Sequence, residues 1–211
     1  MIAVIDFGMG NIHSCLKAVS LYTEHFELVT DPAKVKNAAG IILPGDGAFS
    51  SAMKNLEERG FKDILIERVN AGVPLFGICI GFQILFTDSD ETFGRGLLVS
   101  GLNLIRGHVR RFQGKNGYKV PHMGWNQLIL NNRRENKILQ NIPQNSYMYF
   151  IHSYRPVDVE SGVVLAQCSY YNEKFAVVVE KKNIFGTQFH PEKSDKVGLK
   201  ILENFIRFTD I

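Results

Sequence analysis

The first 85 residues alternate short apolar segments with amphipathic segments, and this alternation restricts the possible folds more than any other feature. Short apolar strands are predicted at residues 2–6, 26–29, 40–43 and 75–78. Helical periodicity fills residues 11–22 and 53–69 between them. Strands separated by helices of this length form right-handed βαβ units. The sequence therefore predicts an α/β fold with a mostly parallel open sheet flanked by helices.

The second half is predicted to consist of short strands broken by turn residues. No long helical segment separates them, so many of these strands should pair antiparallel. A last helix is predicted over residues 194–208, with Ser194 as its N-cap and with Ile201 and Phe205 on its apolar face. The sequence contains no repeat or linker, so residues 1–211 are predicted to form a single domain. The predicted strands cover residues 97–105, 108–112, 125–130, 147–151, 163–169, 175–180 and 184–190.

Composition and charge argue against several classes of function. The formal net charge is only +3, which gives little support for nucleic-acid or membrane binding. The three cysteines (Cys15, Cys79 and Cys168) form no C-x-x-C pair, so neither a disulfide framework nor a zinc site is indicated, and no metal is expected. The amino terminus lacks the basic region of a signal peptide, and the longest apolar run is too short to span a bilayer. We therefore expect a cytoplasmic protein.

Three loops should lie together beyond the carboxyl ends of the parallel strands, where open α/β sheets form their sites. They are residues 8–11, residues 44–47 and the turn at Cys79. Gly8 and Gly10 could belong to a dinucleotide-binding site, but the third glycine of that fingerprint is missing, so this interpretation is disfavoured. No cofactor is expected.

Cys79 lies where an apolar strand changes into a helix, with Gly77 two residues before it and Gly81 two residues after it. A sharp strand-to-helix turn of this kind is the cysteine counterpart of the G-x-S-x-G nucleophile elbow. The helix that follows would point its positive end at the sulfur and favour the thiolate. A free cysteine is, however, commonly a small buried hydrophobe. This segment alone leaves both interpretations open.

His190 is the best candidate for the base that a cysteine nucleophile needs. It ends an apolar strand, Pro191 fixes the next turn, and Glu192 is close enough to turn back and orient the imidazole. Taken alone, this tripeptide is more simply explained as a polar turn before a helix. Together with the turn at Cys79, it indicates a catalytic triad.

Residues 77–81 and 190–192 together resemble the class I, triad-type glutamine amidotransferases. Residues 6–11, 43–49, 119–126, 149–154 and 188–194 extend the resemblance over nearly the whole chain. The blocks at 119–126 and 193–194 narrow it to the glutaminase subunits of imidazole glycerol phosphate synthase, which act in histidine biosynthesis. The resemblance implies a flavodoxin-like fold and release of ammonia from glutamine through a γ-glutamyl thioester.

The resemblance also implies a role for each matching residue. Cys79 would be the nucleophile, His190 the acid–base group and Glu192 the residue that orients His190. The backbone N–H of Ile80 and a backbone N–H of the loop formed by Gly45, Asp46 and Gly47 would form the oxyanion hole. Further residues would bind glutamine: Gln83, Glu91, Ser153 and Tyr154.

The family relationship implies a partner as well. Asn11, Pro121, Met123 and Trp125 match residues that face a cyclase subunit, a separate (β/α)8-barrel chain that receives the ammonia in a heterodimer. The alternative for Trp125 is a place in the core of a second-half strand.

Asp46 departs from the family pattern, because a small apolar residue is usual at this position. A carboxylate about 4 Å from the oxyanion would cost on the order of 4 kcal/mol at an effective dielectric of about 20. We therefore predict that the side chain of Asp46 points away from the oxyanion. This departure, with the atypical segment at residues 101–108, keeps an alternative open. That alternative is a paralogue that supplies ammonia for amidation of a surface-polysaccharide sugar. A non-catalytic binding module is disfavoured because the triad is intact.

Overall fold

The computed structural model describes residues 1–92, 96–114, 117–131 and 135–209, and these form fourteen strands and five α-helices. The helices are α1 Ile12–Val19, α2 Phe49–Glu58, α3 Phe61–Asn70, α4 Ile80–Gln83 and α5 Asp195–Phe208. The strands of the first half are β1 Ile2–Ile5, β2 Phe26–Val29, β3 Gly40–Gly45, β4 Leu75–Cys79, β5 Asp88–Ser89 and β6 Val99–Ser100. The second half contributes β7 His108–Arg111, β8 His122–Gln127, β9 Ile129–Leu130, β10 Tyr147–His152, β11 Tyr154–Val157, β12 Val164–Tyr170, β13 Glu173–Lys181 and β14 Ile184–Thr187.

The main sheet has eight strands in the order β2-β1-β3-β4-β14-β13-β12-β9. The five strands from β2 to β14 are parallel, and β13, β12 and β9 continue the sheet antiparallel. Two smaller sheets lie beside it, a β8–β10 ribbon and a four-stranded sheet in the order β11-β7-β5-β6. The predicted fold class is confirmed. None of the helices in the described ranges is long and apolar enough to cross a membrane.

The strands of the parallel half are apolar on both faces because helices cover both faces of the sheet. Alternate residues of each strand therefore enter different cores. In β1, Ile2 and Val4 pack with residues of α1 and α5, whereas Ala3 and Ile5 pack with α2 and α3. This two-sided burial explains the uninterrupted apolar runs in the sequence.

Several predicted elements differ from the structure. The helical segment at residues 53–69 is divided between α2 and α3, and β14 ends at Thr187 rather than at His190. In residues 97–105, only Val99–Ser100 form a strand. The N–H groups of Leu102, Asn103 and Leu104 donate instead to the carbonyls of residues 84–86, which the end of the short helix α4 leaves free.

Ser194 is another difference, because its side chain does not cap α5. Its hydroxyl donates to the carbonyl of His190 at 2.6 Å and accepts from the N–H of Tyr149 at 3.0 Å. The hydroxyl thereby joins the turn after β14 to β10. A serine before a helix has the same sequence pattern whether it caps the helix or links two segments in this way.

The turn at Cys79 requires glycine at both flanking positions. A Cβ on Gly81 would lie 1.8 Å from the carbonyl oxygen of Leu43, and one on Gly77 would lie 2.4 Å from the carbonyl oxygen of Gly81. Both obstacles are backbone atoms, which cannot move aside as a side-chain end can. The glycines thus allow β3 and α4 to approach each other closely at Cys79.

Gly81→Ala is expected to destabilise the protein by about 3 kcal/mol or more, at the upper end of the range for overpacked sites. The matched control is Gly162→Ala, where a Cβ meets no atom within 4 Å. For this control we expect a change below about 1 kcal/mol. Urea unfolding of both variants measures the difference, and equal stabilities would contradict this view of the turn.

Candidate active site

Cys79 ends β4 at the edge where β3 and β14 also present their carboxyl ends. Gly45 pairs with Cys79 across β3 and β4, and Thr187 pairs with Ile78 across β14 and β4. Cys79 has φ +54° and ψ −103°, a conformation uncommon for a residue with a side chain and typical of a nucleophile turn. The predicted turn is therefore present, and it places the sulfur beside a cavity of about 290 Å³.

The helix after Cys79 is shorter than the sequence suggests. Helix α4 has four residues, Ile80–Gln83, and Ile84 already closes it. One turn sums few peptide dipoles, so the expected electrostatic help from the helix is small. The thiol of Cys79 donates to the carbonyl oxygen of Ile151 at 3.9 Å, an acceptor that cannot take its proton, so activation of the sulfur requires a basic side chain.

His190 is the candidate for this basic side chain, and Glu192 is in contact with it. The Nδ1 atom of His190 and Oε1 of Glu192 are 2.8 Å apart, and their side chains are only 3% and 4% exposed. The Nε2 atom of His190 has no hydrogen-bond partner among the described residues. His190 also lines the cavity with Cys79. The ring therefore holds its outer nitrogen free to take a proton from the sulfur.

The surroundings of His190 favour its protonated form. Burial alone lowers the pKa of the imidazole. Interactions with Cys79 and with Glu192 outweigh burial and raise this pKa to about 10. An imidazole with a raised pKa keeps the proton that it takes from the thiol, as the base of a nucleophilic cysteine must.

The backbone of His190 is fixed on both sides. Its N–H donates to the carbonyl of Tyr149 at 3.1 Å, and its carbonyl accepts from Ser194 Oγ and from the N–H of Lys193. Because Tyr149 also donates to Ser194 Oγ, the turn of His190 and strand β10 are locked together. The position of His190 thus depends on residues that triad reasoning alone does not find.

Gln83 is buried at the inner wall of the cavity. Its Nε2 donates to the carbonyl of Tyr154 and to Oε1 of Gln188, both at 3.0 Å. Both N–H groups are thereby used, and Oε1 of Gln83 has no partner within the described chain. A buried acceptor of this kind can receive an N–H of a ligand.

Glu91 lies at the cavity too, and it caps α2. Its Oε2 accepts the N–H of Phe49 at 2.7 Å, the first residue of a helix that has no side-chain cap of its own. Burial raises the pKa of Glu91, while the hydrogen bond from Phe49 opposes that rise. One of its oxygens is therefore engaged in structure while the residue also lines the cavity.

The loop opposite the sulfur carries Asp46 and Gly47, and both are exposed residues that line the cavity. Gly45 is buried behind them in β3. Gly47 has φ +98°, a conformation that favours glycine. The outward orientation of the Asp46 side chain stays a prediction.

The cavity gathers most of the residues singled out from the sequence. Gly45 and Glu192 lie behind its wall rather than on it. Ile151, His152 and Lys193 are lining residues to which the sequence analysis gave no role, although each lies within a segment that carries the family resemblance. The predicted residues that line the cavity are Asp46, Gly47, Cys79, Ile80, Gln83, Glu91, Pro121, Ser153, Tyr154 and His190.

The residues expected at a partner surface are exposed. Met123 is 60% exposed and Trp125 is 53% exposed on the outer face of the β8–β10 ribbon, so Trp125 is not a core residue. Pro121 precedes β8 and is exposed at the edge of the cavity. Asn11 is exposed and serves as N-cap of α1, accepting the N–H of Ser14 at 3.2 Å.

The described residues contain no group of three or more His, Cys, Asp or Glu side chains that could hold a metal ion.

The family assignment follows from comparison with known proteins. The family description "Glutamine amidotransferase class-I" matches residues 3–208. This chain belongs to the class-I glutamine amidotransferases. The predicted membership of this family is therefore confirmed.

Curated relatives narrow the similarity within the class-I glutamine amidotransferases. The chain is 46% identical over 209 residues to the imidazole glycerol phosphate synthase subunit HisH of Geobacillus sp. (strain WCH70), covering 97% of this chain and 95% of the relative. It is 45% identical over 204 residues to the protein of the same name from Moorella thermoacetica, covering 97% and 93%. The resemblance to this subunit thus holds over nearly the full length.

Solved structures share the amidotransferase fold. A crystal structure of a glutamine amidotransferase aligns with a TM-score of 0.76 at 19% identity, covering 100% of this chain and 99% of the other. PurLQS from Thermotoga maritima aligns with a TM-score of 0.74 at 18% identity, covering 98% and 97%.

Proposed function

We propose that this chain is the glutaminase subunit of imidazole glycerol phosphate synthase. It hydrolyses glutamine and passes the ammonia to a (β/α)8-barrel cyclase subunit, which makes imidazole glycerol phosphate and AICAR in histidine biosynthesis. The observation that carries the proposal is the placement of Cys79 and His190 at one cavity, with Glu192 bound to His190 behind it, in a chain 46% identical to a HisH subunit. We place the protein in the cytoplasm, where this pathway operates.

The geometry supports a thioester mechanism. His190 takes the proton of Cys79, and the thiolate attacks the carboxamide carbon of glutamine. His190 then returns the proton to the departing ammonia, which leaves a γ-glutamyl thioester. Water, activated by the same imidazole, hydrolyses the thioester to glutamate and restores the thiol. Glu192 holds the imidazolium in place through both steps.

The pocket supplies the remaining contacts for glutamine. The N–H of Ile80 and an N–H of the Gly45–Asp46–Gly47 loop act as oxyanion donors, each worth roughly 10²–10³ in rate by analogy with measured cases. Gln83 offers its unpartnered Oε1 to an N–H of the substrate. Glu91 balances the α-ammonium group, and the backbone of Ser153 and Tyr154 receives the α-carboxylate.

The outer face of the β8–β10 ribbon is the proposed cyclase-binding surface. Met123, Trp125, Tyr147 and Ile151 expose large apolar side chains on that one face, and Pro121 connects it to the cavity. Contiguous exposed apolar surface of this kind marks an interaction site. A partner seated there would cover the cavity mouth and keep ammonia away from bulk water.

Trp125→Ala is expected to weaken the heterodimer by about 2–4 kcal/mol, or about 30- to 1,000-fold in Kd, because buried tryptophans dominate interface energetics. The matched control is Leu21→Ala. Leu21 is 61% exposed and follows α1 at the opposite edge of the sheet. Titration calorimetry with the cyclase subunit measures both affinities. Equal affinities for Trp125→Ala and the control would place the interface elsewhere.

The second candidate function keeps the chemistry and changes the recipient of ammonia to a polysaccharide-modifying partner. The Asp46 departure and the atypical segment at residues 101–108 keep it open. Complementation of a histidine auxotroph that lacks this subunit separates the two. Growth without histidine supports the proposed function. Failure to grow despite soluble protein would support the alternative.

A further inference from the structure

A chain of hydrogen bonds runs from the β8–β10 ribbon to the wall of the cavity. The Nδ2 atom of Asn126 lies 3.2 Å from Nε2 of His122, and Nδ1 of His122 lies 3.0 Å from Nε2 of His152. The Nδ1 atom of His152 lies 2.8 Å from the carbonyl oxygen of Tyr154. That carbonyl also accepts from Gln83. We call these side chains the histidine relay: Asn126, His122 and His152.

The hydrogen-bonding capacity of the groups at the two ends of the relay determines which ring nitrogens carry a proton. A backbone carbonyl only accepts, so His152 must carry its proton on Nδ1 and leave Nε2 bare. His122 must then donate through its own Nδ1, and its bare Nε2 accepts from the amide of Asn126. The second N–H of that amide donates to the carbonyl of Ser169 at 2.9 Å. All donors and acceptors match only when both rings are neutral.

The surroundings keep both rings neutral. His122 is stacked between Phe150 and Tyr170, with ring centroids 4.8 and 4.0 Å away, and both histidines are buried. Burial lowers the pKa of His122 to about 4. Burial, with the neighbouring His122, lowers the pKa of His152 to about 3.

The relay ends at the residues that define the glutamine pocket. The carbonyl of Tyr154 accepts from His152 and from Gln83, so both of its lone pairs are used. Its direction fixes the amide of Gln83 with Nε2 inward and Oε1 unpartnered. A Gln83 amide turned the other way would set its oxygen against the carbonyl oxygen of Tyr154.

We propose that the neutral His122–His152 pair is a positioning element that sets the direction of the Tyr154 carbonyl and thereby holds the Gln83 amide in the one orientation that leaves its Oε1 unpartnered at the wall of the glutamine pocket. Neither histidine belongs to the triad, and neither is required by the thioester chemistry. The inference rests on the proposed glutaminase function, because it assigns glutamine as the ligand that Gln83 receives.

Two variants of His152 test the proposal in the complex with the cyclase subunit and its nucleotide ligand. His152→Leu removes the donor to Tyr154, whereas the Nδ2 of His152→Asn can take the place of Nδ1. We expect His152→Leu to raise the KM for glutamine about tenfold, with a smaller change in kcat, since one oriented hydrogen bond is lost. His152→Asn should keep KM within about threefold of the parent value. If a variant only lost packing, a smaller fraction of the protein would be active, so kcat would fall and KM would not change. Equal KM values for both variants would overturn the proposal.

Nitrogen NMR of the wild-type protein, with its histidines labelled with the nitrogen isotope, provides a measurement that needs no variant. At pH 6.5, both His122 and His152 should carry a proton on Nδ1 and none on Nε2. A proton on Nε2 of His152, or a doubly protonated ring, would overturn the relay. Absence of glutaminase activity in the wild-type complex would overturn the proposed function instead, and the tautomers would still decide whether the relay exists.

Discussion

Replacing Cys79 by serine is expected to abolish glutamine-dependent synthesis, with a loss of about 10⁴-fold or more, while ammonia-dependent synthesis by the complex survives. Serine keeps the size of the side chain but lacks a sulfur that His190 can convert into a strong nucleophile. The cyclase reaction takes place on the other subunit and needs only ammonia. Rates with glutamine and with an ammonium salt, measured on the same complex, test both halves of this expectation.

Cys168→Ala is the matched control. Cys168 is fully buried, and burial raises the pKa of its thiol to about 12. Burial likewise raises the pKa of Cys15. Neither thiol should react, so Cys168→Ala should keep its glutamine-dependent rate, and iodoacetamide should label Cys79 alone. Glutamine hydrolysis that persists in Cys79→Ser would refute the assignment of the nucleophile.

Glu192→Gln is expected to lower the kcat for glutamine by about 10²- to 10⁴-fold, the upper figure being that of the corresponding change in a serine triad. The amide still reaches Nδ1 of His190 but no longer supplies a negative charge to the imidazolium. The pKa of His190 should fall, because one of the interactions that raise it is lost. NMR titration of His190 in both proteins measures this change directly.

The same substitution should alter the dependence of stability on pH. His190 binds its proton more tightly in the folded protein, with its pKa raised from 6.5 to about 10. Its contribution to the free energy of unfolding is therefore complete below about pH 6.5 and is lost as the pH rises to about 10. In Glu192→Gln this loss should end at a lower pH. Urea unfolding between these pH values compares the two proteins.

The control for both measurements is Glu203→Gln. Glu203 forms ion pairs with Lys200 and Arg207 on α5, and it takes no part in the triad. The substitution Glu203→Gln should leave the kcat for glutamine and the titration of His190 unchanged. If Glu192→Gln behaves like this control, then Glu192 does not orient the base.

The sequence predicts those parts of the molecule that depend on local patterns. The apolar runs at β1, β3 and β4 reflect burial from both faces, and Gly77 and Gly81 mark a turn that no larger residue could form. His190 and Glu192 are two residues apart, so their contact follows from one local turn.

The remaining features depend on contacts between distant segments, for which a single sequence gives no local signal. The bond from Ser194 to His190 resembles a helix cap in the sequence. The segment after residue 97 is predicted as a strand because it is apolar, yet its N–H groups donate to carbonyls at the end of α4. The pairing of His122 with His152 spans thirty positions, and only the register of β8 against β10 brings the rings together.

The central claim is tested most directly by the glutaminase rate of the purified chain, measured alone, with the cyclase subunit, and with the cyclase subunit plus its nucleotide ligand. The account predicts slow hydrolysis by the isolated chain and a large increase in the full complex, with glutamate and imidazole glycerol phosphate formed in equal amounts. A rate that the cyclase subunit leaves unchanged, or glutamate formed without imidazole glycerol phosphate, would contradict the account.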